Sequence, residues 1–174
     1  PLLGNTLFQG LDNTCETFSR GDPIVQYDRH ADRWFLSQFA FGRITESPYL
    51  QCIAVSTTND PTGSYYRYSV DFSATGFNDY GKLGIFGDAY YTSYNIFEET
   101  TLDNLGVSLC ASDRAKMLVG DPTAATLCSP TAFYAGGSAF LPADVDGLEQ
   151  PSDLARGGVF MRYSKTNQNL RFVR

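Results

Sequence analysis

In the stretch "GDPIVQYDRHADRWFLSQF", Gly21 to Phe39, the one histidine of the chain, His30, stands among Asp22, Asp28 and Asp32. Imidazole beside carboxylates is the composition of a general acid and base. It is equally the composition of a tight turn, because Asp side chains accept hydrogen bonds from their own backbone two residues on. His30 has no plausible nucleophile in its own segment, and Asp28 to Asp32 joins two strand-like runs, so the cluster reads as a turn.

A second set is more promising for chemistry. Asp22 and Asp79 each precede a short apolar run, "IVQYD" and "LGIF", and Lys82 follows Asp79 closely. If those runs are equivalent inner strands, the two carboxylates converge on one rim. There they would hold a cation or act as an acid/base pair, with Lys82 keeping them charged. The preferred alternative is that each accepts backbone N–H groups at a strand end. Asp88, at the Gly87-Asp88 turn, then reads as the counterpart of Asp28. "DVDGLEQPSD" places Asp144, Asp146 and Asp153 in a loose calcium-loop pattern, although calcium wants six to eight oxygens and an Asp-Gly turn explains the same letters. Calcium is the one cofactor these residues suggest. Tyr65, Tyr90, Tyr91 and Tyr94 would form a platform for sugar rings if exposed, or inter-sheet packing if buried. The chain has no Gly-rich phosphate loop, paired metal-binding histidines or G-x-S-x-G turn.

The elements that must position these residues follow from composition. The chain has 174 residues, enough for one domain with a real core. Aromatics make up 14% and charged residues only 18%, a balance that favours strands. A net charge of −6 without a basic patch argues against nucleic acid as partner, and no apolar run approaches the length needed for membrane insertion.

Short strand candidates separated by turn signals begin after an irregular lead-in. "IVQYD", "RWFLSQFAF", "LQCIAVSTT" and "SYYRYSVDF" come in quick order. The second is apolar on both faces, as a strand between packed sheets should be. In the fourth, Tyr66, Tyr68, Val70 and Phe72 share one face. Asp60-Pro61-Thr62-Gly63 is hairpin chemistry, with proline setting an early φ and glycine supplying a positive one late. The pattern restarts near Asp79 with "LGIF" and "AYYTSYNIF", and again near Asp144 ahead of "GGVFMRYSK". Units of about 22–78, 79–139 and 140–174 result, a period somewhat longer than common blade repeats. "SDRAKMLVG", Ser112 to Gly120, has a cap signal and a closing glycine, so one short helix is expected there. The fold class is therefore all-β: antiparallel, four-stranded blade-like repeats in a single propeller-like domain.

These stretches, with "QCIAVSTTNDPTGSYYRY", "CASDRAKMLVGDP" and "LPADVDG", resemble secreted bacterial proteins of sialidase-like (BNR-type) β-propeller character over most of the chain. The resemblance implies blades and an extracellular setting. The chain lacks the arginine triad and the "S-x-D-x-G-x-T-W" boxes of sialidases, so it does not imply glycosidase activity.

Four cysteines without a C-x-x-C pair or a neighbouring histidine exclude a zinc site and point to disulfides in an oxidising compartment. Even count and proximity within the units pair Cys15 with Cys52 and Cys110 with Cys128. A ring of blades needs at least four, so two units and part of a third are expected either to belong to a longer chain or to assemble with copies. The start at Pro1 and the end inside "LRFVR" suggest a processed piece. The function that fits is an extracellular non-catalytic binding or scaffold module, with a glycan or another extracellular protein as partner. The alternatives are a carbohydrate-active hydrolase or lyase using Asp22 and Asp79, and a structural subunit that self-assembles through strand edges.

Overall fold

The computed structural model describes residues 3–134, 139–149 and 157–174. It is all-β, with three antiparallel sheets and only short helices. The first sheet is a meander of β1 (Ile24–Asp28), β2 (Arg33–Ala40), β3 (Leu50–Ser56) and β4 (Tyr65–Asp71), each hydrogen-bonded to the next. The second repeats the plan with β5 (Phe77–Phe86), β6 (Ala89–Phe97), β7 (Asn104–Asp113) and β8 (Thr126–Cys128). A third sheet has β10 (Phe160–Ser164) between β9 (Leu141–Pro142) and β11 (Asn169–Val173).

The sheets stack face to face, and residue alternation shows which faces are covered. Phe35, Ile53 and Val55 of the first sheet pack on Ile85 and Tyr90 of the second, together with Met117. Tyr49, Phe72 and Phe77 meet Tyr94 and Ile96, with the Phe72 and Tyr94 rings edge-on at 4.9 Å. From the opposite face of the second sheet, Tyr91, Val107 and Leu109 pack on Phe140 and Phe160, the Tyr91 and Phe160 rings 5.7 Å apart. Successive strand residues point to opposite faces, so Tyr90 and Tyr91 serve two different interfaces. That explains why "AYYTSYNIF" is apolar on both sides.

The lead-in forms a 3₁₀ helix over Gly4–Phe8 and a single helical turn, α1 (Thr14–Thr17), capped by the Asn13 side chain accepting from Cys15 N. Phe8 and Cys15 lie on Ala40, Leu50, Cys52 and Ala54 of the first sheet, and the Cys15–Cys52 disulfide fastens them there. The second disulfide, Cys110–Cys128, joins paired residues of β7 and β8. Both pairings are those expected from the sequence, and two disulfides suit an oxidising setting. Among the described residues no helix is long and apolar enough to cross a membrane.

Several sequence expectations are corrected. The helix is confined to α2 (Arg114–Met117), because Ser112 and Asp113 still pair with β6 as the end of β7. Asp113 remains its cap, accepting from Lys116 N, and Gly120 closes the turn at φ +73°. A Cβ on Gly120 would fall 2.4 Å from the Tyr66 ring, so only glycine fits there. Gly63 has no positive φ; the 60–63 turn is held by Gly63 N donating to Asp60 O and Thr62 N to Asp60 Oδ1. The aspartates taken as equivalent unit starts are not in register. Asp22 lies two residues before β1, Asp79 is the third residue of β5 beside a bulge, and Asp144 follows β9.

Candidate functional site

The Asp28 to Asp32 segment is a turn, with Ala31 N donating to Asp28 Oδ1 at 3.0 Å. His30 brings no partner to it, and its Nε2 is buried without one among the described residues. Asp28, however, is more than a turn residue. It is fully buried, and it accepts from Arg114 Nε at 2.7 Å, Arg114 Nη2 at 2.9 Å and the Tyr90 hydroxyl at 3.0 Å. Arg114 follows β7 directly, so this ion pair ties the first sheet to the second. Burial pushes the Asp28 carboxyl up, but the Arg114 hydrogen bonds and charge, with Ala31 N–H and Tyr90 O–H, outweigh it and hold the group below the usual carboxylate range. Burial raises the Tyr90 phenol strongly, and the Asp28 charge adds to that. The cluster is saturated and closed to solvent, which suits a clamp rather than catalysis. Asp88 is not its counterpart: it is exposed and accepts from the Tyr91 hydroxyl at 2.8 Å.

The charges of Asp22 and Asp79 both act on Lys82, although neither carboxylate is bonded to it among the described residues. Burial lowers the Lys82 ammonium, and the charges of Asp22 and Asp79 act against that shift. Lys82 Nζ donates to Gly81 O at 3.1 Å and lies 3.3 Å from the centroid of the Tyr80 ring. Asp79 Oδ1 accepts from Tyr80 N, while Asp22 is exposed with φ 45°. Here β1 packs against β5, and the side chain of Ile24 approaches Gly81.

Of the calcium pattern, Asp144 and Asp146 lie among the described residues. Asp144 Oδ1 accepts from Ile85 N at 2.7 Å, and Val145 N donates to Ile85 O at 3.0 Å, so this carboxylate fixes the chain to β5. With Asp146 it supplies two carboxylates where calcium needs six to eight oxygens, and no group of three or more His, Cys, Asp or Glu able to hold a metal exists among the described residues. Asp153 lies outside the described residues.

The tyrosines are corrected as a platform: Tyr90, Tyr91 and Tyr94 are buried between sheets. Only Tyr65 remains half exposed, and it borders a concavity. This groove of about 560 Å³ lies on the outer face of the first sheet, beside the lead-in. Leu7 and Phe8 form one wall, Val25, Leu36 and Tyr65 another, and Arg67 stands at the mouth. The Tyr65 hydroxyl donates to Pro61 O at 2.8 Å, which fixes its ring, and Arg67 Nη1 donates to Gln9 O.

Gln38 is a buried polar residue of this groove, which Thr6, Ser37, Ser64 and Arg67 also line. On β2 it shares a face with Leu36 and Ala40, so its amide lies among the apolar residues under the lead-in. It is 6% exposed, and its Nε2 has no hydrogen-bond partner among the described residues. A Cβ on Gly4 would fall 3.0 Å from Gln38 Oε1, so the glycine makes room for the amide. A mainly apolar groove of ligand size that also carries a few polar groups is the arrangement of a small-molecule binding site. Sequence reasoning missed Gln38, although a polar residue at an apolar-face position of "RWFLSQFA" was the available signal. Comparison with protein-family models, with curated proteins and with solved structures finds no match.

Proposed function

We propose that the chain is a secreted, non-catalytic binding module built from propeller blades, with its ligand seat in the groove beside Gln38. The observation that carries this reading is the groove itself, of ligand size, with the apolar side chains of Leu7, Phe8, Val25 and Leu36 beside the Tyr65 ring and the polar Ser64 and Arg67. Blade architecture is supported by meander sheets stacked face to face, with each strand bonded to its sequence neighbour. Secretion is supported by the two disulfides.

The ligand that suits the groove is small and amphipathic: an apolar face for Leu7, Phe8, Val25 and Leu36, polar groups for Ser64 and Arg67, and a ring for Tyr65. Saccharides have this character and are the first class to test, by glycan array followed by titration calorimetry. Tyr65→Ala and Arg67→Ala are each expected to weaken a hit about tenfold or more. A hit unaffected by both changes, or no hit on a broad array, refutes this assignment.

A second reading is supported by the charges of Asp22 and Asp79 that both act on Lys82: a hydrolase or lyase acting on a glycan. Its test is turnover of polysaccharides that is lost in Asp79→Asn. Absence of turnover by the native protein leaves the binding reading alone.

A further inference from the structure

The third sheet has one face covered and one bare, and the pairing register says which residues lie on each. Phe160 stands opposite Val173 and Pro142, and these face the second sheet through Phe160, which is buried against Tyr91. On the other face Met161 stands opposite both Phe172 and Leu141, and Tyr163 stands opposite Leu170. Four of these five are well exposed: Leu141 48%, Tyr163 59%, Leu170 54% and Phe172 64%. The solvent face of an antiparallel sheet is ordinarily polar. Here it carries no charged side chain, and the charged residues of β10 and β11, Arg162 and Arg171, belong to the opposite face.

We propose that this face binds the same face of a second copy of the chain, forming a two-fold dimer. Charge supports a self-contact: copies of a chain with net charge −6 repel, but a patch without charge can meet itself with no like-charge pair brought together. The chemistry matches the contacts already inside the chain, where aromatic and aliphatic faces of neighbouring sheets interdigitate. Area sets the strength. The four exposed side chains present roughly 450 Å² per copy, at about 200 Å² for each whole residue. A pair of copies thus buries at most roughly 900 Å² from these residues, the size of weak, transient contacts rather than of standard specific interfaces. A reversible dimer is expected, not an obligate one. It is independent of the groove, which lies on the first sheet.

The test is sedimentation velocity of the native chain from about 1 μM to about 300 μM, a span wide enough to cross a micromolar dissociation constant. The weight-average mass should rise from one chain toward two. Phe172→Glu should remain at the mass of one chain throughout, with an unchanged melting curve at the lowest concentration, because Phe172 makes little of the fold. Leu141→Glu, on another strand, should do the same, so a folding defect in one variant leaves the test intact. A native chain that stays monomeric at the highest concentration overturns the proposal. Dimers that persist in both variants overturn it too, since the contact would then lie elsewhere.

Discussion

Replacing Arg114 with methionine should destabilise the protein by about 3 to 5 kcal/mol at neutral pH, the scale for removing one partner of a buried ion pair. Asp28 has no exposed surface and the Arg114 side chain only 13%, so water cannot substitute for the lost guanidinium. The change removes two of the four hydrogen bonds that Asp28 accepts and the only opposing charge, leaving Ala31 N–H and Tyr90 O–H as donors. Such a loss is a large part of the roughly 5 to 15 kcal/mol of an ordinary domain. The pH dependence gives a second signature. In the native protein the Asp28 pKa is lowered, so its stabilising contribution is complete above the unfolded value, near 3.9, and is lost as pH falls through the folded value. In Arg114→Met, burial acts without an opposing cation and the folded pKa rises above the unfolded one. Protonation then relieves the variant as pH falls, and the stability difference narrows on acidification. Urea unfolding, followed by Trp34 fluorescence and far-UV circular dichroism at several pH values, measures both effects. Asp28→Leu combined with Arg114→Met should cost at least about 2 kcal/mol less than the sum of the single changes. A loss below about 1 kcal/mol for Arg114→Met at pH 7, or a difference that widens in acid, refutes the clamp.

Cys110→Ser with Cys128→Ser should cost about 3 kcal/mol in the chain-entropy treatment, given a sequence separation of 18. The unfolded native protein should show no titratable thiol before reduction, and free thiols at that stage would contradict both pairings. Asp22→Gly should be neutral or slightly stabilising and Asp22→Ala should cost about 1 kcal/mol, because the φ of 45° is strained for alanine. A larger loss with glycine, read by thermal melting, would mean that the Asp22 carboxylate itself supports the fold.

The strands were legible because their signal is local. Alternation in "SYYRYSVDF" and in the aromatic "AYYTSYNIF" marks β4 and β6 by itself, and an even set of cysteines within repeated units was enough to pair them. Helix length was less legible: cap and glycine signals bracket "SDRAKMLVG", but pairing to β6 holds Ser112 and Asp113 in a strand, since ladder bonds outweigh a short helix's propensity. The site was decided by tertiary structure. A strand pattern says that Tyr90 and Tyr91 point to opposite faces; it does not say that both faces are covered, and coverage turned a sugar platform into core. Likewise, no local pattern links Asp28 to Arg114, which is 86 residues away in sequence and meets it only when the second sheet packs on the first. Residue types and spacing carry local geometry, whereas burial and pairing of charges depend on which faces meet. Gln38 therefore reads as one polar letter in an apolar strand, and becomes an unpaired donor only once the lead-in closes over it.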